Sequence, residues 1–199
     1  MGRLHERQKR HDAFFRKARK EGFVARSVYK LEEIDQKVRV FFPGARVLDL
    51  GCRPGSWLQY ACKVAGPHGV VVGIDRDPLP SPIPSAKFLR ADIFTLTDEE
   101  LLHGLSAYDV VLSDMAPDTT GIRATDQARS AGLVEEALRR AERLLAPMGS
   151  FIAKIFQSPD VETIRKRMAH RFSEVRLIKP EGSRRESTEV YLVGKGFIP

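Results

Sequence analysis

The segment Arg46-Val47-Leu48-Asp49-Leu50-Gly51-Cys52-Arg53-Pro54-Gly55-Ser56 decides how this chain folds. Its first five residues form a short apolar run, which is typical of a buried strand, and Pro43-Gly44 breaks the chain before them. The glycines that follow allow a tight turn and a close approach of the backbone to a ligand, and a helix begins near Trp57. This order predicts the first βα unit of an α/β sheet.

Strands and helices alternate along the rest of the chain. The predicted strands cover residues 70–75, 87–90, 108–113 and 151–156, followed by a closing pair at 174–178 and 189–193. The predicted helices run from an N-cap at Ser27 to about Lys37, from Trp57 to Gly66, near 97–103, over 126–145 up to a break at 147–149, and near 160–170. We therefore expect a Rossmann-like, doubly wound and mostly parallel sheet of seven strands.

The positive charge of the chain is concentrated at its start. Residues 1–30 hold ten Lys or Arg and three acidic residues, whereas the other 169 residues hold 23 of each kind. Such a segment attracts polyanions, and Phe14, Phe15 and Phe23 are available to stack on bases or to pack. A solvated basic helix is the other interpretation. We predict a basic N-terminal arm over residues 1–25 and one domain over residues 26–199.

Several classes of protein are disfavoured by composition. No apolar stretch approaches the roughly 18 residues of a membrane span, and no signal-peptide core follows the start, so we expect a cytoplasmic protein without a membrane partner. Cys52 and Cys62 are too few for a disulfide framework or a zinc site, and we expect no metal. We also expect a monomer.

Four polar residues fall at or near the carboxyl ends of predicted strands: Asp75, Asp92, Asp114 and Lys154. Ligands bind outside these ends in doubly wound sheets, so we expect one shared crevice. The glycine turn and an acid that can accept from a ribose diol suit a nucleotide cofactor, although the Gly-x-Gly-x-x-Gly spacing of NAD proteins is missing. Lys154 stands in an apolar run where an unpaired ammonium is costly, which indicates a functional role.

Four motifs in a fixed order resemble the FtsJ/RrmJ-type ribosomal RNA 2'-O-methyltransferases. They are Asp49-Leu50-Gly51 with Pro54-Gly55 and Trp57, Ser113-Asp114-Met115-Ala116-Pro117, the strand of Lys154, and Ser187-Thr188-Glu189-Val190-Tyr191. The resemblance runs from about Arg26 to the C-terminus. It implies S-adenosylmethionine-dependent methylation of an RNA ribose, with a uridine in the A loop of large-subunit ribosomal RNA, within an assembled subunit, as the expected target.

The resemblance also implies a set of cofactor-binding residues, namely Gly51, Pro54, Gly55, Ser56, Trp57, Asp75, Asp92, Ile93 and Asp114. Asp75 would bind the ribose hydroxyls, Asp92 the adenine amino group and Asp114 the methionine amine. Trp57 is also expected to pack the first helix against the sheet.

Lys30, Asp114, Lys154 and Glu189 match the catalytic Lys-Asp-Lys-Glu tetrad of this family. A 2'-hydroxyl is a poor nucleophile until its proton is removed, and burial disfavours the charged form of a lysine, so Lys154 is the candidate general base. Lys30 and Glu189 are expected to orient the reacting groups.

A purely structural interpretation is open for each residue of the tetrad and for Asp92, and Glu189 alone could be an ordinary strand charge. Lys154 could be a strand-end lysine paired with Glu189, and Lys30 a flanking residue whose ammonium reaches solvent. Asp114 could be a turn acid and Asp92 a helix N-cap.

The chain departs from the family pattern at Cys52-Arg53, at Ser56 and at Asp118, which stands where Asn is frequent. A carboxylate near the RNA entrance would weaken the approach of phosphate unless Arg123 or Arg184 compensates, which leaves the RNA substrate open. The loop 179–185 is a second candidate for phosphate contact.

Other functions remain as alternatives. They are methylation of another RNA such as tRNA, a non-catalytic RNA-binding factor in ribosome assembly, and a small-molecule methyltransferase, which would not need the basic arm. Methylation of base nitrogens is disfavoured because Asp114-Met115-Ala116-Pro117 differs from the Asn/Asp-Pro-Pro-aromatic motif of those enzymes. C5 methylation needs a cysteine nucleophile, and neither Cys52 nor Cys62 is placed for it.

Overall fold

The computed structural model describes residues 13–181 and 187–199. A helical segment over residues 13–20, α1, precedes the other elements. These are α2 (Val28–Val38), β1 (Arg46–Leu50), α3 (Ser56–Ala65), β2 (Val70–Asp75), β3 (Lys87–Arg90), α4 (Asp98–Leu102), β4 (Tyr108–Ser113), α5 (Arg123–Leu144), β5 (Leu145–Phe156), α6 (Asp160–Ala169), β6 (Phe172–Ile178) and β7 (Glu189–Phe197).

The strands form one seven-stranded sheet in the order β3-β2-β1-β4-β5-β7-β6. Strands β1 to β5 pair in parallel, and β7 is antiparallel to both β5 and β6. The predicted fold class is confirmed. The strand order reverses between β1 and β4, where Leu50 is in register with Ser113. Residues 51 and 114 therefore begin the two loops at the switch point, where such sheets bind ligands.

Helices cover both faces of the sheet, so its central strands are almost continuous apolar runs. On one face Val47, Val110 and Ile152 pack with α2 and α3, and on the other Leu48, Val111 and Phe151 pack with α5 and α6. Successive side chains of a strand point to opposite faces. The side chain of Lys154 therefore lies on the face that α2 and α3 cover, two residues after Ile152.

Two details of the predicted elements were wrong. Ser27 does not cap α2 with its side chain: its backbone is already helical, and its Oγ lies 2.7 Å from Ser56 Oγ. The helix predicted over 126–145 begins at Arg123 and ends at Leu144, and β5 starts at Leu145 instead of after the break at 147–149. A register shift between β4 and β5 accommodates these residues as an irregularity within the strand.

Residues 13–25 lie against the domain. Ala18 is 1 % exposed, and Phe14 and Phe23 pack on the cluster that contains α2 and α3. Phe15 is half exposed and is the aromatic side chain of this segment that is most available for stacking. The basic residues from Arg3 to Arg10, and Arg184 and Arg185 of the loop 179–185, lie outside the described residues. The division into arm and domain at residue 25 stays a prediction.

Candidate active site

The turn between β1 and α3 brings backbone close to the neighbouring loop. Gly51 has a φ of 73°, and a Cβ on it would lie 2.5 Å from Met115 Cγ in the loop after β4. Gly55 has a φ of 109°, and a Cβ there would lie 2.7 Å from Ile83 Cδ1. These positions require glycine because side chains would clash and positive φ strains other residues. Ser27, Pro54, Ser56, Trp57 and Asp114 line a small crevice beside the turn.

Three carboxylates surround this turn. Asp49 on β1 is fully buried, and neither of its carboxylate oxygens has a hydrogen-bond partner among the described residues. Burial raises the pKa of Asp49 well above its usual range, and the charges of Asp114 and Asp75 raise it further. Buried carboxyls without a partner are rare, because desolvation is costly. An orphaned acid next to two others indicates a place where a ligand supplies positive charge or hydrogen-bond donors.

Asp75 and Asp92 lie in the loops that follow β2 and β3. Asp75 accepts from the backbone amides of Arg53 at 2.9 Å and Asp77 at 3.0 Å, so it links the glycine turn to its own loop. Asp92 accepts from the amide of Phe94 at 3.0 Å. The interpretation of Asp92 as a helix N-cap was wrong, because Thr97 caps α4 with a capping box.

The predicted tetrad forms two ion pairs. Lys154 Nζ lies 3.0 Å from Asp114 Oδ1 and donates to the Asp114 carbonyl oxygen at 2.6 Å. Lys30 Nζ lies 2.6 Å from Glu189 Oε2. The Lys154 side chain is 8 % exposed, whereas that of Glu189 is 28 % exposed. The interpretation of Lys154 as the structural partner of Glu189 was therefore wrong, since each acid has a different lysine.

The aromatic ring of Tyr191 connects the two ion pairs. Tyr191 is in register with Lys154 across β5 and β7, its hydroxyl donates to Asp114 Oδ1 at 3.4 Å, and Lys30 Nζ lies 5.9 Å from its ring centroid. Burial raises the pKa of Tyr191 well above its usual range, and nearby Asp114 and Glu189 add to this effect. Tyr191 therefore stays a neutral hydroxyl that can orient Asp114.

Glu189 stays ionised despite its partial burial. Desolvation alone would raise its pKa, but the charge of Lys30, its hydrogen bond and the charge of Lys154 outweigh that effect, so that the pKa of Glu189 is lowered. The charge-assisted bond from Lys30 fixes the Glu189 carboxylate, and Lys154 acts on it through its charge. The site thus combines a buried lysine with acids at the carboxyl ends of the strands.

The side chains of two predicted cofactor-binding residues are buried and pack within the protein. Trp57 is 2 % exposed, lies against the ring of Tyr191 with centroids 5.7 Å apart, and donates its indole N–H to the Ser27 carbonyl. Ile93 is 4 % exposed with its side chain in the core, so mainly its backbone faces the loop. The other predicted residues follow the carboxyl ends of four neighbouring strands: Gly51, Pro54, Gly55 and Ser56 after β1, Asp114 after β4, Asp75 at the end of β2 and Asp92 after β3.

Two residues of the site were not recognised from the sequence as site residues, namely Asp49 and Tyr191. Asp49 carries the signal that drew attention to Lys154, a charged residue inside a buried apolar strand. Tyr191 carries no comparable signal, because an aromatic residue in a strand usually packs. Its position against Lys154 depends on the register of β5 and β7.

The arrangement suits a cationic ligand with an adjacent proton acceptor. Acids at positions 49, 75 and 114 can compensate the ammonium and sulfonium charges of S-adenosylmethionine, and the glycine turn leaves room for backbone contact. The residues present therefore fit this cofactor.

Among the helices of the described residues, none combines the length and the apolar character of a membrane span.

Comparison with known proteins agrees with this geometry. The chain matches the FtsJ-like methyltransferase family over residues 23–197. It is 50 % identical to the ribosomal RNA large subunit methyltransferase E of Bdellovibrio bacteriovorus, covering 92 % of this chain and 95 % of that one. It is 47 % identical to the protein of the same name from Desulfatibacillum aliphaticivorans, covering 92 % and 89 %.

A solved structure described as a ribosomal RNA methyltransferase of Plasmodium falciparum superimposes with a TM-score of 0.77 at 26 % identity, covering 88 % of this chain and 98 % of the other. The match to the family, over residues 23–197, includes the glycine turn, both ion pairs and the seven strands of the sheet. The chain is a member of the FtsJ-like methyltransferase family and is a methyltransferase enzyme.

Proposed function

We propose that this enzyme transfers a methyl group from S-adenosylmethionine to a ribose 2'-hydroxyl of RNA, with a uridine of large-subunit ribosomal RNA as its target. The observation that carries the proposal is Lys154, a buried lysine beside Asp114 at the ligand-binding edge of the sheet. The names of the relatives support a ribosomal RNA substrate. A ribosomal substrate would have the enzyme act in the cytoplasm; a monomeric state stays a prediction.

The acids and the glycine turn would hold the cofactor. Gly51, Pro54, Gly55 and Ser56 would line its path, Trp57 would support the turn, and the backbone of Ile93 would face the adenine. Asp75 has the chemistry for the ribose hydroxyls, Asp92 for the adenine amine and Asp114 for the methionine amine. When bound, S-adenosylmethionine supplies an electrophilic methyl group on a positively charged sulfur.

Lys154 would accept the proton of the ribose 2'-hydroxyl. The oxygen of that hydroxyl would form a bond to the methyl carbon while the bond between this carbon and the sulfur breaks. Asp114 accepts from Lys154, and it would share its carboxylate with the amine of the cofactor. That second cation would compete with Lys154 for the Asp114 carboxylate, so one acid would position both the cofactor and the proposed base. Lys30 and Glu189 form an ion pair with 2.6 Å between Nζ and Oε2, and this pair would orient the ribose and the amino group of Lys154.

The basic N-terminal segment would bind the RNA backbone. Arg19 and Lys20 on α1 are exposed, and α1 packs on the same face as α2, which carries Lys30. Phosphate contacts of this kind give affinity without reading sequence. Asp118 and Arg123 are exposed in and after the loop that follows β4, so their charges would act together on an approaching phosphate.

A cysteine-dependent methylation of C5 is disfavoured by the state of the thiols. Burial raises the pKa of Cys62 to about 11 and that of Cys52 further, with Asp49 adding to both shifts. A thiolate is the nucleophile in such reactions, so neither cysteine is prepared for it at neutral pH. Oxygen is left as the acceptor that the site supports best.

Replacement of Lys154 by Met tests the proposal. The purified enzyme would be incubated with methyl-labelled S-adenosylmethionine and undermethylated large ribosomal subunits, and the labelled nucleoside identified by digestion and mass spectrometry. We expect 2'-O-methyluridine, and a rate loss in Lys154→Met of about 10²–10⁴-fold, the usual contribution of a positioned base. Binding of S-adenosylhomocysteine should persist, and Lys37→Met, at an exposed lysine paired with Glu33, is the matched control.

Three outcomes would redirect the assignment. Label in tRNA alone would change the substrate, and full activity in Lys154→Met would reject its role as the base. Cofactor binding without transfer to any RNA would favour the ribosome-assembly factor. A small-molecule methyltransferase would retain its activity after deletion of residues 1–20, whereas methylation of RNA should be lost.

A further inference from the structure

Arg140 on α5 is a buried cation whose partners lie mostly in another part of the fold. It is 5 % exposed, although an arginine is rarely buried unless it is paired. Its Nη2 donates to the Ile93 carbonyl at 2.9 Å, its Nη1 to Asp98 Oδ1 at 2.8 Å and its Nε to Glu136 Oε1 at 2.8 Å. The guanidinium thus joins α5 to the segment between β3 and α4.

This segment, residues 91–97, follows a weak edge strand. β3 has four residues, none of them buried, and among the described strands it pairs with β2 alone, at the margin of the sheet. The side chain of Ile93 enters the core, and the bond from Arg140 fixes the carbonyl of the same residue. That carbonyl belongs to the peptide between Ile93 and Phe94, and the amide of the same peptide donates to Asp92 Oδ1 at 3.0 Å, so the bond from Arg140 and the bond to Asp92 meet on one rigid peptide group.

Charges around Arg140 reinforce the connection. Arg143 donates to the second oxygen of Asp98 at 2.9 Å, and Arg139 donates to Glu136. Burial would raise the pKa of Asp98, but its bonds to Arg143 and Arg140 outweigh that effect, so the pKa is lowered and the carboxylate is ionised at neutral pH. Each acid thus has a second arginine that would keep it paired if Arg140 were replaced.

We propose that Arg140 is a positioning residue for cofactor recognition: it holds residues 91–97 so that Asp92 and the backbone of Ile93 meet the adenine of S-adenosylmethionine. The inference rests on the proposed function, because it takes Asp92 as the group that accepts from the adenine amine. Arg140 itself does not touch the cofactor, and it acts through the Ile93 carbonyl. A small displacement of a recognition group can cost much of its binding energy.

The test compares the binding of the cofactor product with the binding of its deaminated analogue, each measured directly. S-adenosylhomocysteine carries the adenine amine, and S-inosylhomocysteine carries an oxygen in its place. Affinities for both are measured by calorimetry for the wild type, for Arg140→Met and for Arg139→Met. Arg139 is the matched control because it lies beside Arg140 and donates to Glu136, without a bond to residues 91–97 among its described contacts.

We expect the wild type and Arg139→Met to prefer S-adenosylhomocysteine by about 10-fold or more, because Asp92 accepts from the adenine amine and the oxygen of the analogue offers no such donor. In Arg140→Met the preference should fall to about 3-fold or less, because Asp92 is no longer held in place. A general loss of stability would weaken both ligands equally and leave their ratio unchanged.

The possible failures are distinguishable. An unchanged ratio in Arg140→Met, with the wild type discriminating, overturns the role of Arg140 and leaves the cofactor assignment intact. A wild type that binds both ligands equally overturns the adenine assignment and the inference with it. Thermal unfolding of each variant, checked before binding, shows that the ratio comes from folded protein.

Discussion

At the scale of single residues, Asp49 has the least favourable environment of the described carboxylates. It is fully buried and has no hydrogen-bond partner within residues 13–181 and 187–199, whereas Lys154 lies on the same face of the sheet with the carboxylate of Asp114 beside it. Lys154 was predicted as functional because a charge in an apolar strand is costly, and the same reasoning applies to Asp49. Its neighbours Asp75 and Asp114 are acids, so a cationic ligand stabilises all three.

Asp49 should make the stability of the protein without cofactor depend on pH. Its pKa is raised in the folded state, so the folded protein keeps a proton that the unfolded chain loses above 3.8, and stability falls as pH rises between the two values. Asp49→Asn removes this dependence. In urea unfolding from about pH 5 to about pH 8, the free energy of unfolding of the variant should rise relative to that of the wild type by up to about 1.4 kcal/mol per pH unit.

The exposed Asp77→Asn serves as the control for this comparison, because its carboxylate is already in solvent. A difference between Asp49→Asn and wild type that stays constant with pH would show that Asp49 is ionised when folded.

Glu189 should act in the opposite direction. Its folded pKa is lowered, so its contribution to stability is present above the ordinary value of 4.5 and is lost as pH falls through the folded value. Glu189→Gln should cost about 1–3 kcal/mol near pH 7, the range for a charge-assisted hydrogen bond, and little in acid. Unfolding curves at both pH values measure this. An equal loss at both would exclude the ion pair with Lys30 as the cause.

At the scale of elements, the short buried strands were the most predictable. The bounds predicted for β1, β2 and β4 agree with the structure, because each is a mainly apolar run bounded by polar residues or glycine. The bounds predicted for β3, which is short and not buried, agree as well. The boundary between α5 and β5 was not predictable. Pro147 usually ends regular structure, but the register shift opposite Tyr108 keeps this stretch within β5.

The cap of α2 shows a second limit of local patterns. Ser27 has the residue type of an N-cap, yet its hydroxyl lies beside Ser56 on α3 and its carbonyl accepts from Trp57. Tertiary partners thus replace a local bond, and a single sequence does not contain them. For the same reason the acids at the strand ends could be predicted to converge, while the pairing of each acid with its lysine could not.

The turn between β1 and α3 should not tolerate a side chain. Gly51→Ala places a Cβ 2.5 Å from Met115 at a positive φ, which should cost about 1–3 kcal/mol in stability and weaken cofactor binding. Gly132→Ala on α5 is the contrasting change, since within the described residues no atom outside the backbone of its own helix lies within 4 Å of the Cβ position. This helix position should gain about 0.5–1 kcal/mol. Thermal unfolding tests both, and a stable Gly51→Ala would refute the close approach.

At the scale of the whole molecule, the described part of the basic N-terminal segment lies on one face of the sheet. Residues 13–25, which include α1, pack on the face that α2 and α3 cover, whereas α6 packs on the other face. Replacing Arg19 and Lys20 by Gln should reduce the dependence of RNA affinity on salt. The slope of log K against log salt should fall by about 0.7–0.9 for each phosphate that the variant no longer neutralises.

Filter binding of the RNA at several salt concentrations measures these slopes. Lys166→Gln, at an exposed position on α6, should leave the slope unchanged. If Lys166→Gln lowers the slope as much as the double replacement, the RNA does not distinguish the two faces and the proposed path along α1 is wrong.

The place of β7 in the sheet sets a condition on the order of synthesis. This strand comes last among the described elements, yet it lies between β5 and β6 and carries both Glu189 and Tyr191. While a ribosome still holds that segment, β5 and β6 lack their shared neighbour and present unpaired edges, and Lys30 lacks its carboxylate. We therefore expect a nascent or prematurely terminated chain to be prone to aggregate and, given the role proposed for Glu189, to acquire activity only once β7 is in place.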